Sequence, residues 1–518
     1  MMDWQKLLRI FETNWHINNT HVGQTSCLSA CTDWKSVLCV IVLLGLGICF
    51  ATMPVLLIGS ILAGTILLTL ILIQPKLCLY LLIPIIPFSS FLQLEIGEAN
   101  LTPMEPLIGL MLISWLLRKA SKQAIVIPHP PLLFPFMIFL GGIGFSWLTM
   151  TSITSSVIET IKWIEMLIIY LFIVDNLSLK DSRRIVGLIL FMGVTQAGLG
   201  IYQFVTLYGP PEFMYHENMR AYGSFNQPNP FAGYMGLILP LAFSVMLWQI
   251  QSLITKIRTE TWYFGKIKFL ITSIITILIF WGMSYAMQAS QSRGAWIGAI
   301  VAIAVTVFLH GRWWTIISIV GIIGMVIADT LEDISILPDG IIQRFESAIP
   351  YIGLKDISTI SVRSDNISTV ERLAHWHTAQ NMWADHKWLG IGFGNYQTVY
   401  PDYAIGRWIE PLGHAHNYIL NLGAEIGFLG LLSYIILWLW VIIFAMRTLM
   451  STKLYSFNRT IVAGSIGIIT HLHLHNFVDN LYVQGMYLHI AIILGLITLV
   501  WKDCNNYDDK FYRQGKTN

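Results

Sequence analysis

Long apolar runs, each closed by a short polar or basic cluster, repeat along most of this chain. Crossing the hydrocarbon of a bilayer takes about 20 apolar residues per helix, and about fourteen runs approach that length. Their limits are 37–53, 55–73, 77–94, 102–118, 131–149, 157–175, 184–207, 230–250, 268–288, 294–309, 312–329, 417–447, 459–477 and 481–501. Pro54, Pro84 and Pro87 interrupt the early runs, the first two runs read equally as one broken hairpin, and the third and fourth are short. The pattern therefore predicts twelve to fourteen spans. Backbone polar groups inside a bilayer must be satisfied within each segment, which predicts helices. The expected fold class is all-α, a polytopic integral membrane protein with one long loop containing short helices.

That loop covers 330–416, far longer than an ordinary connection and so expected to be functional. It divides the chain into a tail at 1–36, a bundle at 37–329, the loop, a second set of spans at 417–501 and a tail at 502–518. Within the loop, Leu373, Trp376, Ala379, Met382 and Trp383 recur at helical spacing, with Ser368 or Thr369 as N-cap. Such amphipathic helices suit a membrane surface. A glycine-rich turn follows at 388–396, WLGIGFGNY. No strand precedes it and no Lys-Ser/Thr pair ends it, so it does not read as a nucleotide loop.

Composition agrees with the pattern. Of 518 residues 55% are hydrophobic and only 12% charged, with a mean hydropathy of +0.64; a soluble domain carries roughly a quarter charged residues. The net charge of +2 gives no footprint for nucleic acid. Of the six cysteines, Cys27, Cys31, Cys39, Cys49 and Cys78 lie near the first spans and Cys504 near the other end, which is no disulfide framework. Cys27 and Cys31 lack a second pair, so no metal site is expected there. The polar segment before Val37 has no small-residue cleavage site, and no removable signal peptide is expected.

Charge sets the sidedness. With the N-terminus in the cytoplasm, the inward connections hold Lys76; Arg118, Lys119 and Lys122; Lys180, Arg183 and Arg184; Lys256, Arg258, Lys266 and Lys268; Arg312; and Arg447, Lys453 and Arg459. This is the positive-inside bias, and both tails fall on the cytoplasmic side. The short outward connections hold few cations, chiefly Arg220 and Arg293.

Those two arginines therefore stand out. Arg220 opens RAYGSFNQPNPFAGY at 220–234, a Gly-, Asn- and Pro-rich turn feeding a helix near Pro230. Arg293 lies in SQSRGAWIG, between two spans with almost no loop. Each suits either of two roles: snorkelling to lipid headgroups, or clamping phosphate with a guanidinium fork. At 416–430 the chain reads HNYILNLGAEIGFLG. His416 is either a helix-start residue bonded to a loop carbonyl or a proton acceptor at the membrane surface. His414 is a spectator or a positioning group. Asn417 is an N-cap or a carbonyl-orienting amide, and Gly427 and Gly430 suit close helix packing. A second cluster, HLHLHNFVDN at 471–480, places His471 and His475 on one helix face. No carboxylate completes a zinc pattern, and the preferred reading puts His475 and Asp479 in a polar network lining the same outer cavity. Glu159, Lys162 and Glu165 lie three apart in the sixth span, as a self-neutralising set or a functional one.

RAYGSFNQPNPFAGY, SQSRGAWIG, WLGIGFGNY and HNYILNLGAEIGFLG, in that order, resemble the O-antigen ligase and polymerase family, over roughly residues 130–500. The resemblance implies transfer outside the cytoplasm, in a bacterial inner membrane. The donor would be a glycan on undecaprenyl pyrophosphate and the acceptor a lipid or glycan hydroxyl, with inversion at the anomeric carbon. His416 matches the family's base. Arg220 and Arg293 match its arginines and would hold the pyrophosphate, with His414 and Asn417 beside the substrate. No nucleotide, metal or other cofactor is implied. Members join O-antigen to lipid A core, polymerise repeat units or glycosylate proteins, and a cyanobacterial branch of similar architecture has been described as accumulating bicarbonate. The alternative is thus a transporter of a small anion such as bicarbonate, for which Glu159 and Lys162 in mid-span would suit a path.

Overall fold

A computed structural model describes residues 54–91, 93–96, 99–123, 126–215, 217–259, 263–332, 360–362 and 366–514. The run expected at 37–53, the segment 1–36 and most of the first part of the long loop lie outside the described residues. The first described helix is α1, Val55–Ile73, and the chain divides into two units at Thr69. The rest concerns the larger unit, from Leu70 onward.

The helices follow the apolar runs closely. They are α2 (Lys76–Phe88), α3 (Met104–Ser121), α4 (Leu133–Ser146), α5 (Ile153–Asn176), α6 (Leu179–Thr206), α7 (Pro228–Gly236) and α8 (Leu239–Thr259). After them come α9 (Tyr263–Ala289), α10 (Arg293–His310) and α11 (Arg312–Glu332). The long loop contributes α12 (Ile367–Asp385) and α13 (Tyr396–Tyr403), and the chain continues through α14 (Tyr418–Ser451), α15 (Phe457–His475) and α16 (Met486–Gln514). Among the described residues the strands form two short hairpins: Leu94–Ile96 with Ala99–Leu101, and Met214–Tyr215 with Asn218–Met219. The protein is an all-α, polytopic membrane protein.

Six of the described helices are long and apolar enough to cross a bilayer by length and composition alone: Leu179–Thr206, Pro228–Thr259, Lys266–Ala289, Arg293–His310, Tyr418–Ser451 and Met486–Asn505. The larger number expected from the apolar runs includes helices that this criterion passes over for a physical reason. Helix α5 carries Glu159, Lys162 and Glu165, and α3 carries Glu105, Arg118 and Lys119. Both still pack in the same bundle, α5 against α16 and α3 against α2. Outward faces are apolar: Leu278, Ile300 and Phe308 are about two-thirds exposed. In water such a surface would be an interaction patch, whereas in a bilayer it is the lipid face.

Close packing uses small residues, since lipid gives helices no hydrophobic reason to associate. Ala299 and Ala302 of α10 are buried where that helix lies on α15, and a Cβ at Gly467 would strike Thr306. A Cβ at Gly142 of α4 would meet Ser433 and Gly430 of α14, so Gly430 serves close packing as its spacing suggested.

Connections fall into two sets. At one end Lys76 pairs with Asp181 and Lys119 with Asp175, each at 2.9 Å, and Arg459 donates to the Leu309 carbonyl at 2.8 Å. At the other end the loops around 150, 220, 290, 370–417 and 476–485 bond to one another. Thus Ala221 N–H donates to the Ala289 carbonyl, and Tyr418 N–H to the Asn476 carbonyl. These sets match the alternation read from charge.

Single cysteines at Asp402 and Arg258, both exposed, test that alternation in a background without native cysteines. An impermeant thiol reagent applied to intact cells should label position 402 and leave 258 unlabelled. The reverse pattern would invert the orientation.

Candidate active site

The site is built on an interlock between the glycine turn and α14. Gly390, Gly392 and Gly394 have φ of +71°, +99° and +79°, a region that favours glycine. A Cβ at Gly390 would collide with the Glu425 backbone, at Gly392 with Met150 Cα at 2.5 Å, and at Gly394 with the Ser155 carbonyl at 2.6 Å. Helix α14 breaks at Gly427, where φ is +61°. The break frees carbonyls and N–H groups that an intact helix would pair. Ile391 and Gly392 donate to the Ala424 and Glu425 carbonyls at 2.9 and 3.0 Å, and Phe428 donates to the Lys387 carbonyl at 2.8 Å. Gly427 thus does more than pack closely: it opens the helix that receives the turn. The buried Glu425 carboxylate also accepts from Tyr396 N–H at 3.0 Å. Asn395 ties the turn to the start of α5, accepting from Ser152 N–H at 2.5 Å and donating to Ser156 Oγ at 2.7 Å.

Held this way, α12 lies over the outer end of α14 and not as a free surface helix. Leu373, Ala379 and Met382 are buried, and the Trp383 ring fills the place a Cβ at Gly423 would need. Its N-cap position is Asn366, two or three residues before the expected Ser368 or Thr369. Trp376 Nε1 donates to the His416 carbonyl at 3.2 Å.

His416 sits just before α14 with φ +50°, uncommon for a side chain of this kind. Its N–H donates to His414 Nδ1 at 3.1 Å. Its own Nδ1 faces Asp479 Oδ1 at 3.5 Å; His414 Nε2 lies 3.9 Å from the same oxygen, and His475 Nε2 3.9 Å from Asp479 Oδ2. Three imidazoles therefore surround one carboxylate. His475 and Asp479 join the network their spacing suggested, and His471 lies apart, its ring between Gly236 and Gly298. Burial, then the neighbouring His416, pushes His414 down to about 3. Burial would raise Asp479, but the imidazoles of His416 and His475 facing its carboxylate hold it well below the usual carboxylate range. A neutral His414 beside an ionised Asp479 follows.

One ligand atom each from His414, His416 and Asp479 falls within 4.8 Å of the others, a spacing open to a metal ion. The donor set does not fit one. His414 Nδ1 already accepts a backbone N–H, which places the ring proton on Nε2, the atom facing the carboxylate. A cation there would meet an N–H in place of a lone pair.

Arg220 donates from Nε to the Ser290 carbonyl at 2.9 Å and from a terminal nitrogen to Asn229 Oδ1 at 3.0 Å. These bonds set the plane of its guanidinium at the same connection that starts α10 with Arg293. Arg293 donates to Thr369 Oγ1 at 3.1 Å, on α12. One turn further along α12 is Arg372, whose Nε is buried without a hydrogen-bond partner among the described residues and whose charge acts on His414. Arg372 does not stand out from sequence, because a cation on an amphipathic loop helix reads as a solvated face. The structure thus strings Arg220, Arg293, Arg372 and the histidine cluster along one end of the bundle. His375 was also missed: buried, stacked on Tyr400 with ring centres 4.8 Å apart and 5.6 Å from the His416 ring, it is pushed down to about 4 by burial and then by His416. Asn417 uses Oδ1 to cap α14, accepting from Leu420 N–H at 3.1 Å.

Lys162 closes on Glu159 at 2.5 Å, and Glu165 accepts from Tyr487 at 2.7 Å. The pair lies in the first half of α5, beneath the glycine turn and not at mid-span, because α5 begins at Ile153, ahead of the apolar run.

Residues 278–435 match the family model described as O-antigen ligase. The match runs from within α9 to the first half of α14 and takes in Arg293, Arg372, the glycine turn, His416 and Gly427. Arg220, His475 and Asp479 lie outside it. No curated protein matches the chain.

Gly427→Ala forces an L side chain into the left-handed region against Trp388. It should lower the thermal midpoint of the detergent-solubilised protein, at a cost of about 1–3 kcal/mol. Gly187→Ala, with open space around its Cβ, should leave it within error. Equal effects of both would show that the interlock contributes nothing special.

Proposed function

We propose that this protein transfers a glycan from undecaprenyl pyrophosphate to an acceptor hydroxyl on a lipid or another glycan, a reading supported by the match of residues 278–435 to the O-antigen ligase model. The reaction takes place at the periplasmic face of a bacterial inner membrane, with both termini in the cytoplasm. The Lys/Arg-rich end of the bundle is the cytoplasmic one, which turns the histidine cluster outward. The observation that carries this reading is the Asp479–His416 pair, set at the same end of the bundle as Arg220 and Arg293.

The chemistry follows from that pairing. With Nδ1 facing Asp479 Oδ1 at 3.5 Å, the ring nitrogen that His416 presents as acceptor is Nε2. As the acceptor oxygen attacks the anomeric carbon, its proton passes to Nε2. The bond from that carbon to the pyrophosphate oxygen breaks on the opposite side, and the electron pair leaves with the lipid pyrophosphate. The new glycosidic bond is inverted. Asp479 holds the ring and stabilises the imidazolium. Arg220 and Arg293, their planes fixed by Ser290, Asn229 and Thr369, meet the departing charge with forked donors. The bland roles for these residues, headgroup snorkelling and a carbonyl-bonded histidine, do not account for a carboxylate aimed at the imidazole.

His416→Ala should reduce transfer by about 10²–10⁴-fold in purified protein with a lipid-linked donor, while membrane insertion stays normal. Wild-type transfer in that variant would remove the base assignment. Arg220→Lys and Arg293→Lys keep the charge and lose the fork, and each should cost about tenfold or more. Near-full activity in both would return them to the lipid headgroups. Asp479→Asn should lower kcat with KM little changed; a rise in KM alone would make Asp479 a binding group.

A further inference from the structure

A polar groove of about 510 Å³ opens beside the histidine cluster, within the range of about 300–1,000 Å³ usual for small-ligand sites. Helix α13 separates the two. Its Tyr396 and Tyr400 face His375, while Thr398, Val399, Asp402 and Tyr403 line the groove. The opposite wall is Thr149 and Thr151, from the turn before α5, with Asp385 and His386 closing one end.

The lining is selective in its chemistry. Four hydroxyl side chains, Thr149, Thr151, Thr398 and Tyr403, supply donors and acceptors. Two carboxylates, Asp385 and Asp402, supply acceptors for paired hydroxyls. Tyr403 already donates to Asp385 Oδ2 at 2.9 Å, which steadies that carboxylate. The buried Ile391 and Val399 offer an apolar floor suited to the C–H face of a sugar ring. Among the described residues no lysine or arginine lines the groove, so a phosphate or uronate would meet two like charges uncompensated. An acyl chain would leave the polar lining unpaired.

We propose that this groove binds a neutral saccharide segment, away from the bond-forming centre, as a second glycan site of the transferase. The proposal rests on the glycan reading above. It gives α13 two jobs: one face buttresses the histidines through His375, and the other grips sugar residues remote from the reacting one.

Saturation-transfer NMR on the full chain in detergent tests it, with maltotriose, tri-N-acetylglucosamine and trigalacturonate as probes, all in EDTA. Both neutral trisaccharides should receive magnetisation and trigalacturonate should not. Asp385→Asn with Asp402→Asn should weaken the neutral signals about tenfold, and Thr398→Trp, which fills the groove, should abolish them. His416→Ala should leave them intact. The proposal is overturned by no signal from either neutral probe, by undiminished signals in both groove variants, or by signals lost in His416→Ala. Signals that require added Ca²⁺ would also overturn it, making the carboxylates a cation site. Transferase activity surviving in His416→Ala would sink the glycan-transfer reading separately, since the groove is judged by binding alone.

Discussion

Four backbone groups of α14 would be orphaned by its break at Gly427, and an unsatisfied backbone group costs several kcal/mol in hydrocarbon. The glycine turn supplies the partners: the Ala424 and Glu425 carbonyls take N–H groups from Ile391 and Gly392, and the Phe428 and Leu429 N–H groups reach the Lys387 and Trp388 carbonyls. Neither partner is satisfied without the other. This mutual pairing fixes one part of the long loop against a membrane helix without a disulfide. Since α12 precedes the turn and α13 follows it, both helices inherit their position from the pairing, and so do Thr369, Arg372, Trp376 and His375. The start of α14, carrying His416, is set by the same helix whose break receives the turn.

On that frame the charges are distributed with economy. The lysine- and arginine-rich end of the bundle pairs some of its cations with Asp175 and Asp181. At the opposite end Arg220 is oriented by Ser290 and Asn229, and Arg293 by Thr369. Three imidazoles share the Asp479 carboxylate, and burial with the nearby His416 keeps His414 uncharged. Asp479 and the arginines thus share one end of the bundle with the imidazoles. The anion-transport alternative drew on Glu159 and Lys162, and these close on each other.

Much of this was legible in the sequence because a bilayer imposes a length on every span. The apolar runs located nearly all the described helices, and the charge of their connections grouped the loops as the structure does. The HLHLHNFVDN segment announced a polar network around His475 and Asp479. Other features were hidden for identifiable reasons. The partner of the glycine turn is Gly427, about 35 residues away, and pairing between backbones at that separation leaves no periodic signal. The polar Thr154, Ser155 and Ser156 masked the first turn of α5, which starts ahead of the apolar run. Arg372 was passed over because amphipathic periodicity assigns a lone cation to the solvated face, whereas the fold turns it toward His414.

The most direct measurement is an experimental structure of the protein with an undecaprenyl-pyrophosphate-linked sugar bound. The expected result places the pyrophosphate against Arg220 and Arg293 and the anomeric carbon on the side of His416 Nε2, with room for an acceptor oxygen about 3 Å from that nitrogen. A pyrophosphate bound at the lysine-rich end, or one that contacts neither arginine, would contradict it.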